Sequence, residues 1–406
     1  MKANGTAARH LDLALAATLF AELERRTRRD GGIVRDSYGE GEQAAHDLMR
    51  EAALGLRLEP SVDAIGNLYL TLPGTDRQAP RILIGSHLDS VPQGGNFDGA
   101  AGASLRCDVV VMAIRAEESA WFDVSYLGSG GALGLLDPAC LAVRRSDTGR
   151  TLEETLTARG FDPGAIRERR ALLDRRSVRA YLELHIEQGP RLAAEGAPVA
   201  VVTGIRGCKR FRNARCVGEY GHSGALPRAL RHDAVAATVA LLGYLELAWS
   251  REEVAGSDLL VTTGELYTDA QAHAPSKVAG ETRFSIDLRS LSIEIMERIA
   301  DETRRAAVEI GRRYRVAFEL GAATDSPPAI MDPGLRAALL RQLEQPLEMP
   351  SGAGHDAATF ASAGIPSGMI FVRNEHGSHN PAESMALEDF AVGTRALIGL
   401  LEDFPL

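Results

Sequence analysis

Residues 85–102 read GSHLDSVPQGGNFDGAAG. They follow Arg81–Ile84, a short apolar run with β character. The stretch offers a histidine (His87), an aspartate two residues on (Asp89) and a second aspartate (Asp98) inside a glycine-rich turn. Residues two apart on an extended chain point the same way, so His87 and Asp89 can face one site at a strand end, with Asp98 returning to it through the loop. Glycines let the chain bend through backbone angles that side chains forbid. Alone, the stretch reads equally well as a metal-binding turn or as a polar turn after a buried strand.

Composition sets the bounds. The chain has 406 residues, 45% hydrophobic and 25% charged, with a net charge of -10. That is ordinary globular composition, and the length suggests two or three domains. No Lys/Arg block stands out, so neither nucleic acid nor an anionic membrane is expected as a partner. Cys107, Cys140, Cys208 and Cys216 form no CxxC pair, which fits a reducing, cytoplasmic setting. Leu11–Phe20 is interrupted by Asp12 and continues into the charged run Glu22–Arg29, so it reads as an amphipathic helix, not an export signal. No run is long enough to span a bilayer.

Along the chain, helical periodicity covers Leu11–Thr27, Glu42–Ala53, Leu152–Arg159 and Asp162–Leu173. Strands are expected at Leu56–Leu58, Asn67–Leu72, Arg81–Gly85, Asp108–Ile114, Ala180–Leu184 and Ile365–Val372. The apolar run DVVVMAI (108–114) has the character of a strand buried on both faces of a parallel sheet. It ends in Arg115-Ala116-Glu117-Glu118. The strand AYLEL ends in His185-Ile186-Glu187-Gln188, and Ile365–Val372 leads to His376 and His379. Four buried-type strands therefore end in acidic or imidazole residues. In open α/β sheets ligands bind outside the carboxyl ends of the strands. The segment between differs: strand 209–219, helix 227–249, strands 258–263 and 282–289, helix 293–314 and strand 315–320. The order β-α-β-β-α-β is the ferredoxin-like pattern.

The fold class expected is α/β. A discontinuous catalytic domain (1–203 and 325–406) with a mostly parallel central sheet carries an inserted ferredoxin-like α+β domain (204–324). The side chains gathered are imidazoles and carboxylates without thiolate, a set suited to Zn, Mn, Co or Ni. A carboxylate can bridge two ions roughly 3.5–4 Å apart, and Asp98 is the best placed to do so. Of the adjacent pair, Glu117 and Glu118 project differently, so one can bind metal while the other moves protons.

The motifs GSHLDSVPQGGNFDGAAG, IRAEESAWF, LELHIEQGP, GHSGALPRALRHDA, FSIDLRS, SGAGHDA and GSHNPAESM resemble the amidase, hydantoinase/carbamoylase family of dinuclear metallohydrolases. That family includes N-carbamoyl-L-amino acid hydrolases and allantoate amidohydrolases within the wider M20 group. The resemblance runs over nearly the whole chain. It implies two divalent ions per subunit, with His87, Asp98 and His185 around one and Asp98, Glu118 and His379 around the other. It implies Glu117 as general base and Asp89 as the carboxylate orienting His87. It further implies His222 as a substrate-binding histidine, which would stabilise the developing oxyanion, and Arg289 as the carboxylate-binding arginine. Gln188 and His355 are secondary candidates for substrate contacts, His355 reading equally as the cap of a turn in a glycine-rich loop, and Ser276 is a further candidate. The inserted domain would be a lid and the surface of a homodimer. The substrate would be a small ureido or amide compound bearing a carboxylate.

Two departures stand out. In HAPSKVAG (273–280), Ser276 occupies the place where the resembling enzymes carry asparagine. Only nine residues, 99–107, separate Asp98 from the next strand, whereas a parallel crossover usually takes a dozen or more. A helix lost there would damage the sheet or shift Glu117 and Glu118. The reading is therefore an N-carbamoyl-L-amino acid hydrolase, with an allantoate or N-acyl amino acid amidohydrolase as one alternative and a catalytically impaired metal-binding relative as another. His10, His46, His232, His273 and His376 are taken as surface or structural.

Overall fold

The computed structural model describes residues 11–93 and 107–404. Asp98, like His10, lies outside the described residues. The chain forms two compact units: residues through Thr203 together with those from Ile330 onward, and Gly204–Ala329 between them.

In chain order the main elements are α1 (Leu13–Thr27), α2 (Glu40–Gly55), β1 (Glu59–Val62), β2 (Leu68–Leu72), β3 (Arg81–His87), β4 (Val109–Ile114), α3 (Leu127–Ala132), α4 (Leu152–Ala158), β5 (Val178–Ile186) and β6 (Val199–Ile205). The second unit supplies β7 (Gly207–Val217), α5 (Ala234–Val254), β8 (Leu260–Thr262), β9 (Glu281–Ser290), α6 (Ile293–Tyr314) and β10 (Ala317–Glu319). The first unit resumes with α7 (Pro333–Leu340), β11 (Glu348–Ser351), α8 (Asp356–Ser362), β12 (Ser367–Val372) and α9 (Leu387–Glu402).

The large sheet runs β6-β12-β5-β3-β4-β2-β1. Its four central strands, β12, β5, β3 and β4, are parallel neighbours. β6 joins one side and β2 the other, both antiparallel, and β1 pairs antiparallel with β2. The sheet is thus mixed, not mostly parallel as the sequence suggested. The strand at β6, which the sequence reading passed over, returns antiparallel beside β12. The short connection between β3 and β4 leaves their pairing in register, from Ile82 opposite Val109 to His87 opposite Ile114, so the damage anticipated from it is absent.

Strands buried on both faces need helices above and below. One cluster packs Ile82, Ile84, Leu182, Leu184, Val199, Val201, Ile370 and Val372 against Leu335 and Leu339 of α7 and Leu397 and Leu400 of α9. Another packs Leu68, Leu70 and Ala113 against Leu23 of α1 and Ala45 and Leu48 of α2. Local signals set the helix ends. Asp332 caps α7 with Pro333 following it, and Thr151 and Glu154 close a capping box on α4. The helix expected over 162–173 shrinks to Gly164–Arg167; Pro163, Gly164 and the left-handed Arg169 (φ 48) break it up. The strand expected at 56–58 forms instead at Glu59–Val62.

In the second unit the sheet order β8-β9-β7-β10 is antiparallel throughout, with α5 and α6 contributing Ala237, Leu241, Leu245, Ile299 and Ala300 to its core. α5 starts at Ala234, not near 227, because Asp233 caps it by accepting from the Ala236 N–H at 3.0 Å. Thr324–Ser326 still pairs with β7, so the second unit extends past residue 324. Among the described residues, no helix is long and apolar enough to cross a membrane.

His46 of α2, expected to be a surface or structural residue, is 1% exposed. Neither ring nitrogen has a hydrogen-bond partner among the described residues. Burial, reinforced by Arg115 and Arg50, holds this imidazole well below the usual histidine range near 6.5. The unfolded chain therefore binds a proton that the folded one refuses, and folding stability falls as pH drops through about 6.5. In thermal unfolding at pH 7.5 and 5.5, His46→Leu should gain on the parent as pH falls, by up to about 1.4 kcal/mol per pH unit below that value. Parallel losses in the two proteins would contradict this.

Candidate functional site

The four parallel strands are adjacent, so their carboxyl ends open on one crevice. His87 ends β3, and Glu117 and Glu118 follow β4. His185 sits opposite Phe371 of β12 in register, one residue before β5 ends. Asn374 to His379 leave β12 at the same edge.

One carboxylate organises this end. Asp89, fully buried, accepts from the N–H groups of Glu117 at 3.0 Å and Glu118 at 3.2 Å, and from the Ser37 hydroxyl at 2.7 Å. Its Oδ1 lies 3.2 Å from His87 Nδ1. A second buried carboxylate, Glu42 of α2, accepts from the Ala116 N–H, the Tyr38 N–H and Arg115 Nη1, each at 2.8 Å. Arg115 also donates to the Gly66 carbonyl at 2.9 Å. Between them these bonds fix Ala116 in the left-handed region (φ 50). An alanine does not hold that conformation unaided. Glu117 is thereby aimed at His87, with 3.9 Å between Glu117 Oε2 and His87 Nε2.

The imidazoles are oriented from behind. His87 Nδ1 lies 3.2 Å from the Asp89 carbonyl and His185 Nδ1 2.7 Å from the Ile186 carbonyl. A carbonyl accepts only, so the ring proton sits on Nδ1 and the lone pair on Nε2 in both. The rings are 5.7 Å apart. His355 packs edge-on to His185 at 4.3 Å and meets the Ser351 hydroxyl at 2.9 Å.

His379, at the mouth, has a left-handed backbone (φ 61) and is 51% exposed, and its Nε2 lies 3.2 Å from Glu118 Oε1. Gln188, also left-handed (φ 63), reaches His379 Nε2 at 3.3 Å; its N–H donates to Asn374 at 3.0 Å. Of the predicted ligand set the structure thus brings together His87, Glu118, His185 and His379, with Glu117 and Asp89 among them. Asp98 is outside the described residues.

Sequence reasoning missed three acids. Glu42 gave no signal, since nothing in its helix marks it. Glu183 did, because it stands two residues before His185 on the same strand and so on the same face. Its carboxylate accepts from the Ser86 hydroxyl at 3.0 Å and the Ala357 N–H at 2.8 Å, joining β3, β5 and α8. Asp356 follows His355 and accepts from the Ser129 hydroxyl at 2.5 Å.

Burial and mutual repulsion act on these acids together. Burial first, then Asp356, Glu118 and Asp89, push the Glu117 carboxyl well above its usual range, while His87 pulls it down. Burial and the nearby Glu183 push Asp356 up to about 8. A crowd of buried carboxylates that raise one another is what bound cations relieve. His87, Glu117 and Glu118 form one group with ligand atoms within 4.8 Å of one another, and Glu183, His185 and His355 form another. With imidazole lone pairs at Nε2, this donor set fits divalent metal.

The remaining predicted residues belong to the second unit. His222 lies in a short strand opposite Lys277, and the Ser223 N–H donates to the Ser276 carbonyl at 2.8 Å, so His222 and Ser276 are neighbours. Arg289 of β9 donates to Asp287 at 3.0 Å, a carboxylate that Arg210 also approaches, at 3.2 Å.

The pattern of peptidase family M20/M25/M40 matches residues 99–403. The N-carbamoyl-L-amino acid amidohydrolase of Geobacillus stearothermophilus is 35% identical over 396 residues, covering 90% of this chain and 92% of that one. The allantoate amidohydrolase of Escherichia coli (strain K12) is 30% identical over 392 residues, covering 91% and 92%. A solved hydantoinase/carbamoylase family amidase from Burkholderia ambifaria superposes with a TM-score of 0.84 at 28% identity, covering 96% of this chain and 95% of that one.

Asp89→Ala should lower folding stability by about 3 kcal/mol or more, because it strands several buried donors at once. Ser37→Ala, which removes one of them, should cost about 1 kcal/mol. Urea unfolding checks both, and equal effects would show that Asp89 is not the common anchor.

Proposed function

The chain belongs to peptidase family M20/M25/M40, and from that premise we propose that it is a dinuclear metal-dependent hydrolase of N-carbamoyl-L-amino acids. The coarser statement follows from its relatives: it is an amidohydrolase acting on carbon–nitrogen bonds in linear amides. The observation that carries the finer reading is the convergence of Glu117, Glu118, His87, His185 and His379 on one crevice.

In this reading His87 and His185 would hold one ion and Glu118 and His379 the other, with Asp98, which lies outside the described residues, as the ligand expected to serve both. Bound divalent ions would polarise the ureido carbonyl and acidify a water. Glu117 would take a proton from the attacking water as the water's oxygen bonds to the ureido carbon. The bond from that carbon to the amino-acid nitrogen breaks, and Glu117 passes the proton to the departing nitrogen. The carbamic acid left over falls apart into ammonia and carbon dioxide. Burial, which favours the protonated form of Glu117, suits a group that must carry a proton between two partners. Arg289 would pair with the substrate carboxylate through its planar fork. His222 would donate to the developing oxyanion, and Gln188, Ser276 and His355 would make further substrate contacts. The second unit would serve as lid and dimer surface; on α5, Val239, Leu247 and Val254 are 59%, 73% and 91% exposed, an apolar stripe suited to a second copy.

A substrate panel separates this from the allantoate and N-acyl readings. The intact register between β3 and β4 weighs against an impaired relative. Glu117→Gln should keep its metal, measured by elemental analysis, and lose about 10³-fold in ammonia release from N-carbamoyl amino acids. Turnover within tenfold of the parent would remove Glu117 as the base. Leu247→Asp should shift the protein toward monomer in light scattering, and an unchanged mass would count against the dimer surface.

A further inference from the structure

Tyr126 is a residue of this crevice to which the reading above gives no role. Its N–H donates to the Glu117 carbonyl at 3.0 Å, and those of Leu127 and Gly128 donate to Ala116 at 3.0 Å and Arg115 at 2.9 Å. The loop before α3 is therefore stitched residue by residue to the segment bearing the base. Tyr126 caps α3 in the left-handed region (φ 59, ψ 36), a conformation disfavoured for an aromatic residue. Its phenol reaches the glycine-rich loop before His355: a Cβ built on Gly354 would overlap the Tyr126 hydroxyl and lie 3.0 Å from its Cζ. Gly354 adjoins His355, whose ring stands 4.3 Å from that of His185. Tyr126 thus spans from the backbone of Glu117 to the loop behind the imidazoles, and the residue as a whole keeps some exposure. Burial, with Glu117 and Asp356 next in weight, pushes its ionisation far above the ordinary tyrosine range, so it acts as a neutral hydroxyl.

We propose that the Tyr126 hydroxyl is a specificity-determining group that accepts a hydrogen bond from the terminal –NH2 of a carbamoyl substrate. This rests on the reading of the crevice as an amidohydrolase site. In that reading the carbonyl oxygen is the atom that the ions and His222 would stabilise, and the amino-acid nitrogen would receive the proton from Glu117. The third substituent of the reacting carbon is what remains for the hydroxyl of Tyr126, a residue whose backbone is bonded to that of Glu117 and whose ring ends against Gly354. A phenol oxygen accepts from an N–H and has nothing to exchange with a methyl. A site built around such a bond discriminates against the analogue lacking it.

The test uses metal-loaded Glu117→Gln protein, with and without Tyr126→Phe, titrated calorimetrically with N-carbamoylglycine and N-acetylglycine. Tyr126→Phe should weaken N-carbamoylglycine about tenfold and leave N-acetylglycine within about twofold. Gly354→Ala, which displaces the hydroxyl without removing it, should reproduce that selective loss. Equal effects on the two compounds, or none, overturn the proposal. Failure of the underlying reading shows separately, as wild-type protein that cleaves neither compound or as Glu117→Gln protein that still cleaves. A wild-type protein that neither binds nor cleaves either compound overturns both.

Discussion

Everything at the working end of this molecule depends on a single buried carboxylate having enough donors. Asp89 has no solvent exposure, and an unpaired charge there would cost several kcal/mol. Its two oxygens instead take the backbone N–H groups of Glu117 and Glu118, the Ser37 hydroxyl and the neighbourhood of His87 Nδ1. Those donors come from the end of β3, the end of β4 and the segment before α2. The distance between His87 and the pair of glutamates is therefore set by hydrogen bonds to one residue, not by loop chance. Glu183 repeats the device one strand over, tying Ser86 of β3 to Ala357 of α8 from within β5.

The second constraint is backbone strain. Ala116, Tyr126, Gln188 and His379 all adopt positive φ, and all four are at the crevice. Each such residue costs of order 1–3 kcal/mol and persists only when its surroundings over-determine it. For Ala116 the surroundings are visible: Glu42 takes its N–H, and Arg115 is locked on both sides. For Gln188 the Asn374 side chain does the holding. Stability is spent where side chains must be aimed, and the regular elements behind, packed by Leu182, Ile370 and Leu397, carry it.

How far the sequence foretold this follows from what kind of signal each feature leaves. The apolar runs of β4, β5 and β12 announced buried strands, and the polar residues just after them announced a crevice, because both signals are local in the chain. The antiparallel β6 left no comparable mark: VAVVTGI has a buried strand's composition but no direction, and direction comes from the route of the chain. Glu42 was invisible for the same reason, being an acid on a helix whose importance lies in reaching residue 116. The helix expected over 162–173 failed on periodicity alone, since Pro163 and Gly164 outweigh the apolar spacing. The resemblance that named Glu117 and Arg289 did not name Tyr126, whose place is defined by its bond to the Glu117 backbone and by the glycine it touches far along the chain.

The two halves of the crevice are not equivalent. His87 and His185 are 1% and 2% exposed, each with its Nδ1 fixed against a backbone carbonyl, whereas His379 is 51% exposed and leans on Glu118. A ligand sphere built on the first pair is preorganised and dry; one built on the second is open to water and adjustable. Glu117 sits between them, 3.9 Å from His87 and next in sequence to Glu118. A proton carrier placed at such a boundary is made a weaker acid by the buried side and meets its exchange partner on the open side. Burial alone would leave Glu117 permanently protonated, and exposure alone would leave it an ordinary carboxylate. The crevice seats Glu117, the proposed base, where one environment gives way to the other.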